Sequence, residues 1–137
     1  MLQRDYIMRL IREFMAALQL LLEGDDVERR REQLVKLYEQ YIGPYSLYHN
    51  ATVDEAMRAL ATYDEGQRLE RMEMLAELYY VEADTLTGPD RDFLLDKAFA
   101  LFSFIERNGR TFSIDRRYKM GRIKAALGGH ASSEKPQ

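Results

Sequence analysis

Apolar residues recur along this chain at spacings of three and four, with no stretch of strict alternation, so the pattern predicts helices throughout. Ile7, Leu10, Ile11, Phe14, Leu18, Leu21 and Leu22 share one face of a first helix from about Arg4 to Glu23. Gly24 closes it, and Asp25 or Asp26 can cap a second helix to about Ile42, with Val27, Leu34, Val35, Tyr38, Tyr41 and Ile42 on its apolar face. So short a connection favours an antiparallel hairpin. Gly43-Pro44 ends the second helix and opens the longest irregular segment, GPYSLYHNA. TVDE at 52–55 has the form of a capping box and starts a short third helix to about Thr62.

A fourth helix is expected from about Asp64 to Leu86, where TGPD at 87–90 breaks it. The fifth is LLDKAFALFSFIERNG, residues 94–109, closed by Asn108-Gly109. Leu94, Ala98, Leu101 and Ile105 make one stripe on it, and Leu95, Phe99 and Phe102 make a second. Asp92, Asp96, Ser103 and Arg107 leave a narrow polar strip. Burying a phenylalanine is worth about 1.5–3 kcal/mol, so this reads as the helix the others pack around. Ser113 caps a sixth helix from Ile114 to about Leu127, and residues 128–137 read as a disordered tail. The expectation is one all-α domain over residues 1–127, built from about six antiparallel helices.

The helices around residues 72–105 resemble a tetratricopeptide (TPR) unit. Met72, Leu75-Ala76 and Tyr79 match its first half, and Ala98-x3-Phe102 its second; Met120-Gly121 could begin another. The match covers about a third of the chain. It implies TPR-like helical hairpins in which small residues let paired helices approach and large ones fill the gap. The opening QRDYIMRLIREF resembles the start of small bacterial all-helical proteins of unknown function, a likeness that implies no activity.

Composition narrows the chemistry. The absence of cysteine removes disulfides, thiolate nucleophiles and cysteine metal sites. Arg9, Arg12, Glu13 and Gln19 interrupt the apolar N-terminal run, which argues against a signal peptide or membrane span and for a cytoplasmic, bacterial protein. The two histidines, His49 and His130, lack Glu-x-x-His or H-E-x-x-H spacing, and no EF-hand or P-loop is present, so neither metal nor cofactor is expected. A Ser46/His49 pair is conceivable as nucleophile and base, but nearby loop residues of these types are common. Glu70, Glu73, Glu77 and Asp84 of the fourth helix could do acid–base work or hold a cation. The reading adopted for them is a solvated face opposite Met72, Leu75, Leu78 and Tyr79.

Charge is distributed unevenly. From Asp64 to Asp96 ten acids stand against Arg68, Arg71 and Arg91; from Arg110 to Lys124 six bases stand against Asp115. Docking of the last helix beside the acidic fourth, or between subunits, is favoured over a protein partner for Arg116, Arg117 and Arg122, and nucleic acid comes last. Tyr38, Tyr41, Tyr45 and Tyr48 gather at the end of the second helix with His49 and Asn50. Tyr41, Tyr45, Tyr48 and His49 are therefore candidates for a partner or ligand surface, against the plainer reading of a lid on the bundle. Together these features suggest a non-enzymatic protein-interaction or scaffold module, with self-association through the first two helices possible. A small-molecule binder or enzyme using the tyrosine loop and the fourth-helix carboxylates is the alternative, and nucleic-acid binding through the last helix the third.

Overall fold

The computed structural model describes residues 2–109 and 111–134, which form seven α-helices and no strand. They are α1 (Leu2–Glu23), α2 (Val27–Tyr41), α3 (Tyr45–Asn50), α4 (Val53–Leu60), α5 (Arg68–Ala83), α6 (Gly88–Asn108) and α7 (Ile114–Glu134), with a single 3₁₀ turn, Glu65–Gln67, before α5. Among these residues no helix is long and apolar enough to cross a membrane.

Local chemistry sets the helix starts. Asp26, rather than Asp25, caps α2: its carboxylate accepts the amides of Glu28 and Arg29 at 3.0 and 3.3 Å. The capping box of α4 is complete, with Thr52 Oγ1 accepting the Glu55 amide at 3.2 Å and Glu55 accepting the Thr52 amide at 2.9 Å. Ser113 Oγ accepts the Arg116 amide at 3.0 Å. The TGPD segment both ends one helix and begins the next, because Pro89 falls in the first turn of α6, where its missing amide hydrogen leaves no bond unmade.

Four elements differ from the sequence expectation, the first being α6, which begins at Gly88 rather than at residue 94. The irregular segment after Gly43 contains α3, a helix of six residues too short to show a hydrophobic period. The stretch from Asp64 splits into the 3₁₀ turn and α5 around Gly66. Finally, α7 continues past Leu127 to Glu134, since an established helix propagates at one hydrogen bond per residue even across a glycine pair. Residues 135–137, the end of the expected tail, lie outside the described residues.

Polar ties give the directions of packing. Arg4 pairs with Glu70 at 2.7 Å, setting the start of α1 beside the start of α5. Arg71 donates to the Tyr41 carbonyl at the end of α2, while Arg31 near its start donates to the Thr85 carbonyl, so α2 runs against α5. The side chain of Arg116 lies between Glu106 at the end of α6 and Glu73 near the start of α5. Hence α6 returns along α5, and α1, α5 and α7 all point the same way.

The helix at the centre is α5. Its buried residues include Met72, Met74, Leu75, Ala76, Leu78, Tyr79 and Val81, together with the charged Arg71, Glu77 and Glu82. Expectation had placed α6 there. That helix does bury Leu94, Leu95, Ala98, Leu101, Phe102 and Ile105, but Phe99 is only half-buried and Phe93 is exposed. Burial of both members of the α5/α6 pair organises the core, and Phe102 within it has no exposed surface. Phe102→Ala is expected to lower the unfolding free energy by about 3–5 kcal/mol in a urea titration, the range for an aromatic cavity in a core.

Candidate functional site

The tyrosine segment folds inward and closes on itself. At Gly43 an added Cβ would lie 2.7 Å from the ring of Tyr48, so glycine is what lets α3 turn back against α2. Tyr48 is buried, and Tyr41 packs edge-on against Phe14 at 5.3 Å within the core. Beneath α3 the buried carboxylate of Glu82 accepts the hydroxyls of Tyr38 at 2.6 Å and Tyr45 at 2.5 Å, and lies 2.9 Å from Nδ1 of His49. His49 also stacks on the Tyr45 ring. Burial, followed by the field and hydrogen bond of Glu82, pushes the Tyr38 hydroxyl well above the ordinary tyrosine pKa. Burial and the Glu82 hydrogen bond do the same to Tyr45. These hydroxyls are fixed donors rather than acids available near neutral pH.

The other end of α3 rests on Lys97. Its ammonium donates to the carbonyls of Ala51 at 2.8 Å, His49 at 2.9 Å and Tyr48 at 3.3 Å, and sits 4.3 Å from the Tyr79 ring centre and 4.2 Å from that of Phe93. A cation is thereby delivered to the carbonyls a helix C-terminus leaves open. Tyr79 adds its hydroxyl to the Tyr48 carbonyl at 2.6 Å. Burial draws the Lys97 pKa down to about 8, with the charge of Glu82 opposing it.

The basic residues of α7 have intramolecular partners. Arg116 is buried, bonding Glu106 at 2.6 Å and the Thr111 carbonyl at 2.8 Å; Arg117 reaches the other Glu106 oxygen at 3.0 Å and lies over Phe112. The hydrogen bond from Arg116 holds the Glu106 carboxyl below its usual range. Lys119 bonds Glu77 at 2.6 Å and Asp115 at 2.8 Å. Burial works against the Lys119 charge, but Glu77 and Asp115 outweigh it and raise its pKa, whereas for Glu77 burial prevails over Lys119 and keeps the carboxyl high. The expected solvated carboxylate face of this helix is therefore corrected: Glu77 is 2 % exposed, Glu70 is tied to Arg4, and Glu73 is half-covered near Arg116, while Asp84 is the exposed member. The acids turn inward because α1 and α7 both pack along α5.

Arg122 is placed differently. It contacts the Tyr118 hydroxyl at 3.2 Å and lines a groove of about 350 Å³ bounded by α1 and α7, with α5 as its floor. Each helix presents the same spacing to this groove: Met15, Leu18, Gln19 and Leu22 from α1; Glu77, Tyr80, Val81 and Asp84 from α5; Lys119, Arg122, Ile123 and Ala126 from α7. These are i, i+3, i+4 and i+7 positions, the seam set of a helical bundle, repeated on three helices that run parallel. Leu95 and Arg91 of α6 close one end.

Of the candidate residues, Tyr45, Tyr48 and His49 thus come together at α3, with Tyr41 in the adjoining core, and Arg116 and Arg117 meet at Glu106. Arg122 alone of them reaches the groove. Glu82 and Lys97 were not singled out from sequence, although a signal was present. Glu82 follows Leu75, Leu78 and Tyr79 on one helical stripe, and Lys97 falls between Leu94 and Leu101 on another. A charge inside an apolar stripe has to find a buried partner. Comparison with known proteins found no family model, curated protein or solved structure that matches the chain.

Lys97→Met removes the donor from three carbonyls and is expected to reduce stability by about 1–3 kcal/mol above pH 8 and by less at neutral pH, where burial of the lysine charge offsets part of the gain. In hydrogen exchange the amides of residues 45–51 should lose protection before those of α5. A second consequence concerns pH. A folded-state value of about 8, below the ordinary 10.5, means the folded protein holds fewer protons across that interval, so stability rises with pH there. The rise reverses where the buried tyrosines, whose values are raised, begin to titrate in the unfolded chain at about pH 10. Denaturant midpoints measured from pH 7.5 upward (about half a unit apart) should show this rise in the wild type and lose it in Lys97→Met.

Proposed function

We propose that the protein is a non-enzymatic helical interaction module, and that the groove between α1, α5 and α7 is its docking face. The observation that carries this is the bundle-seam spacing shared by the three parallel helices around an open groove. Met15 and Leu22, a heptad apart on the α1 rim, remain 37 % and 43 % exposed. The TPR-like reading of α5 and α6 belongs to the same proposal and is supported by the complete burial of Ala76, Ala98 and Phe102. The groups with most scope for catalysis, Glu82, His49 and Lys97, are committed to one another and to α3. Nucleic-acid binding is disfavoured because Arg116, Arg117 and Lys119 are neutralised within the fold.

A second reading, small-molecule binding, has one observation in its favour. The groove lies within the usual volume range of ligand pockets, and Glu77, a carboxyl kept high by burial, lines it beside Lys119. The two separate by size of partner. Affinity capture with the wild-type protein and with Met15→Glu/Leu22→Glu, followed by mass spectrometry, should give a protein that the variant fails to retain. Circular dichroism should show the variant folded, since both positions are exposed. Equal retention by both forms would sink the docking reading.

A further inference from the structure

Building on the docking reading above, we infer that the groove's occupant is a single helix of a partner protein, lying antiparallel to α1, α5 and α7. Along two turns it carries an aliphatic seam, and near its N-terminus an acidic side chain that meets Arg122.

The seam follows from register. Residues 77, 81 and 84 of α5 stand level with 119, 123 and 126 of α7, as the Glu77–Lys119 bond at 2.6 Å requires when the two helices run in parallel. The distance from Glu77 to Asp84 is two turns, about 10 Å. At the first end the groove is closed electrostatically, because Glu77 and Lys119 satisfy each other and Asp115 completes the lysine. Its floor is apolar and closed, formed by the buried Leu18, Val81 and Ile123, and its uncovered apolar surface is the rim of Met15 and Leu22. Nothing there matches a charged ligand, whereas leucine-sized side chains from a fourth helix would complete the seam.

Charge and dipole fix the direction. Towards the other end Arg122 makes no ion pair among the described residues; it holds a tyrosine hydroxyl instead. Asp84 feels its field but lies beyond bonding distance, and Arg91 is turned to Asp92 at 3.0 Å. An acid on the occupant would give Arg122 the partner that the fold withholds. The C-terminal ends of α1 and α5 lie at this same end, presenting the negative ends of their dipoles. A helix entering with its N-terminus here opposes those dipoles favourably, and acids are preferred in a first helical turn.

The probe is a phage-displayed helix library with leucine fixed at the seam positions over two heptads and Glu, Lys, Gln or Ala allowed elsewhere, panned on the full-length protein. Clones should be enriched in Glu near the helix N-terminus and should lose binding to Met15→Glu/Leu22→Glu. Panning on Arg122→Glu, a surface change, should move the preference to Lys, with about a fivefold exchange in affinity between matched Glu and Lys peptides. Enrichment of Lys on the wild type, or indifference to charge, overturns the acidic partner. Failure to select any groove-dependent helix overturns the helical occupant; if captured proteins still depend on Met15 and Leu22, the docking reading stands alone. A dimer in sedimentation that Leu22→Glu dissociates makes the occupant a second copy and likewise overturns the inference.

Discussion

An ion taken out of water must meet an opposite charge or a full set of hydrogen bonds, or the fold that buries it is disfavoured by several kcal/mol. The central helix of this protein carries three such ions, Arg71, Glu77 and Glu82. Each is answered from a different direction. Arg71 is met by the Tyr41 carbonyl, Gln67 and the Tyr63 ring, with its Nε left without a hydrogen bond, Glu77 by Lys119 of α7, and Glu82 by tyrosines of α2 and α3 with His49. Such contacts add little net stability over an apolar core of equal volume. Their effect is on uniqueness, since rotating or sliding α5 by one residue would strand all three. Apolar packing holds the helices together, and these ions determine which faces meet.

That division of labour explains what could be read in advance. Helical class was visible because amphipathic faces on α1, α2 and α6 repeat at three and four. α5 was harder, since Glu77 and Glu82 break its apolar period although both are buried. Sequence assigns a carboxylate to solvent unless its partner is in view, and Lys119 is supplied from a helix far along the chain. α3 escaped notice for another reason: at six residues it has no period, and its tertiary contacts with Tyr79, Glu82 and Lys97 hold it in shape. The uneven charge, by contrast, pointed correctly to the docking of α7. The groove was invisible because its three seam sets become one surface only once the helices are parallel.

Two polar systems therefore sit on opposite sides of the same helix with opposite character. Around Glu82 and Lys97 donors and acceptors are used up among themselves, which suits a structural tie and leaves little capacity for chemistry. Along the groove the apolar floor is buried and only the rim of Met15 and Leu22 is uncovered, and Arg122 and Asp84 have no ion-pair partner among the described residues.

The anchoring of α3 has a consequence for how the chain comes into being. Protein synthesis is directional, and the segment around Tyr45–Ala51 leaves the ribosome before Glu82 and Lys97 have emerged from it. During that interval its tyrosines have only α2 to pack against, and the carbonyls of residues 48, 49 and 51 face water rather than the Lys97 ammonium. The α1/α2 hairpin can form early, but its continuation must wait for α5 and α6 to be made and paired. Tyr45 and His49 thus take their carboxylate partner, and Tyr48 its tyrosine hydroxyl, from residues made later in the chain. For that time the growing polypeptide displays an aromatic segment that the finished protein conceals.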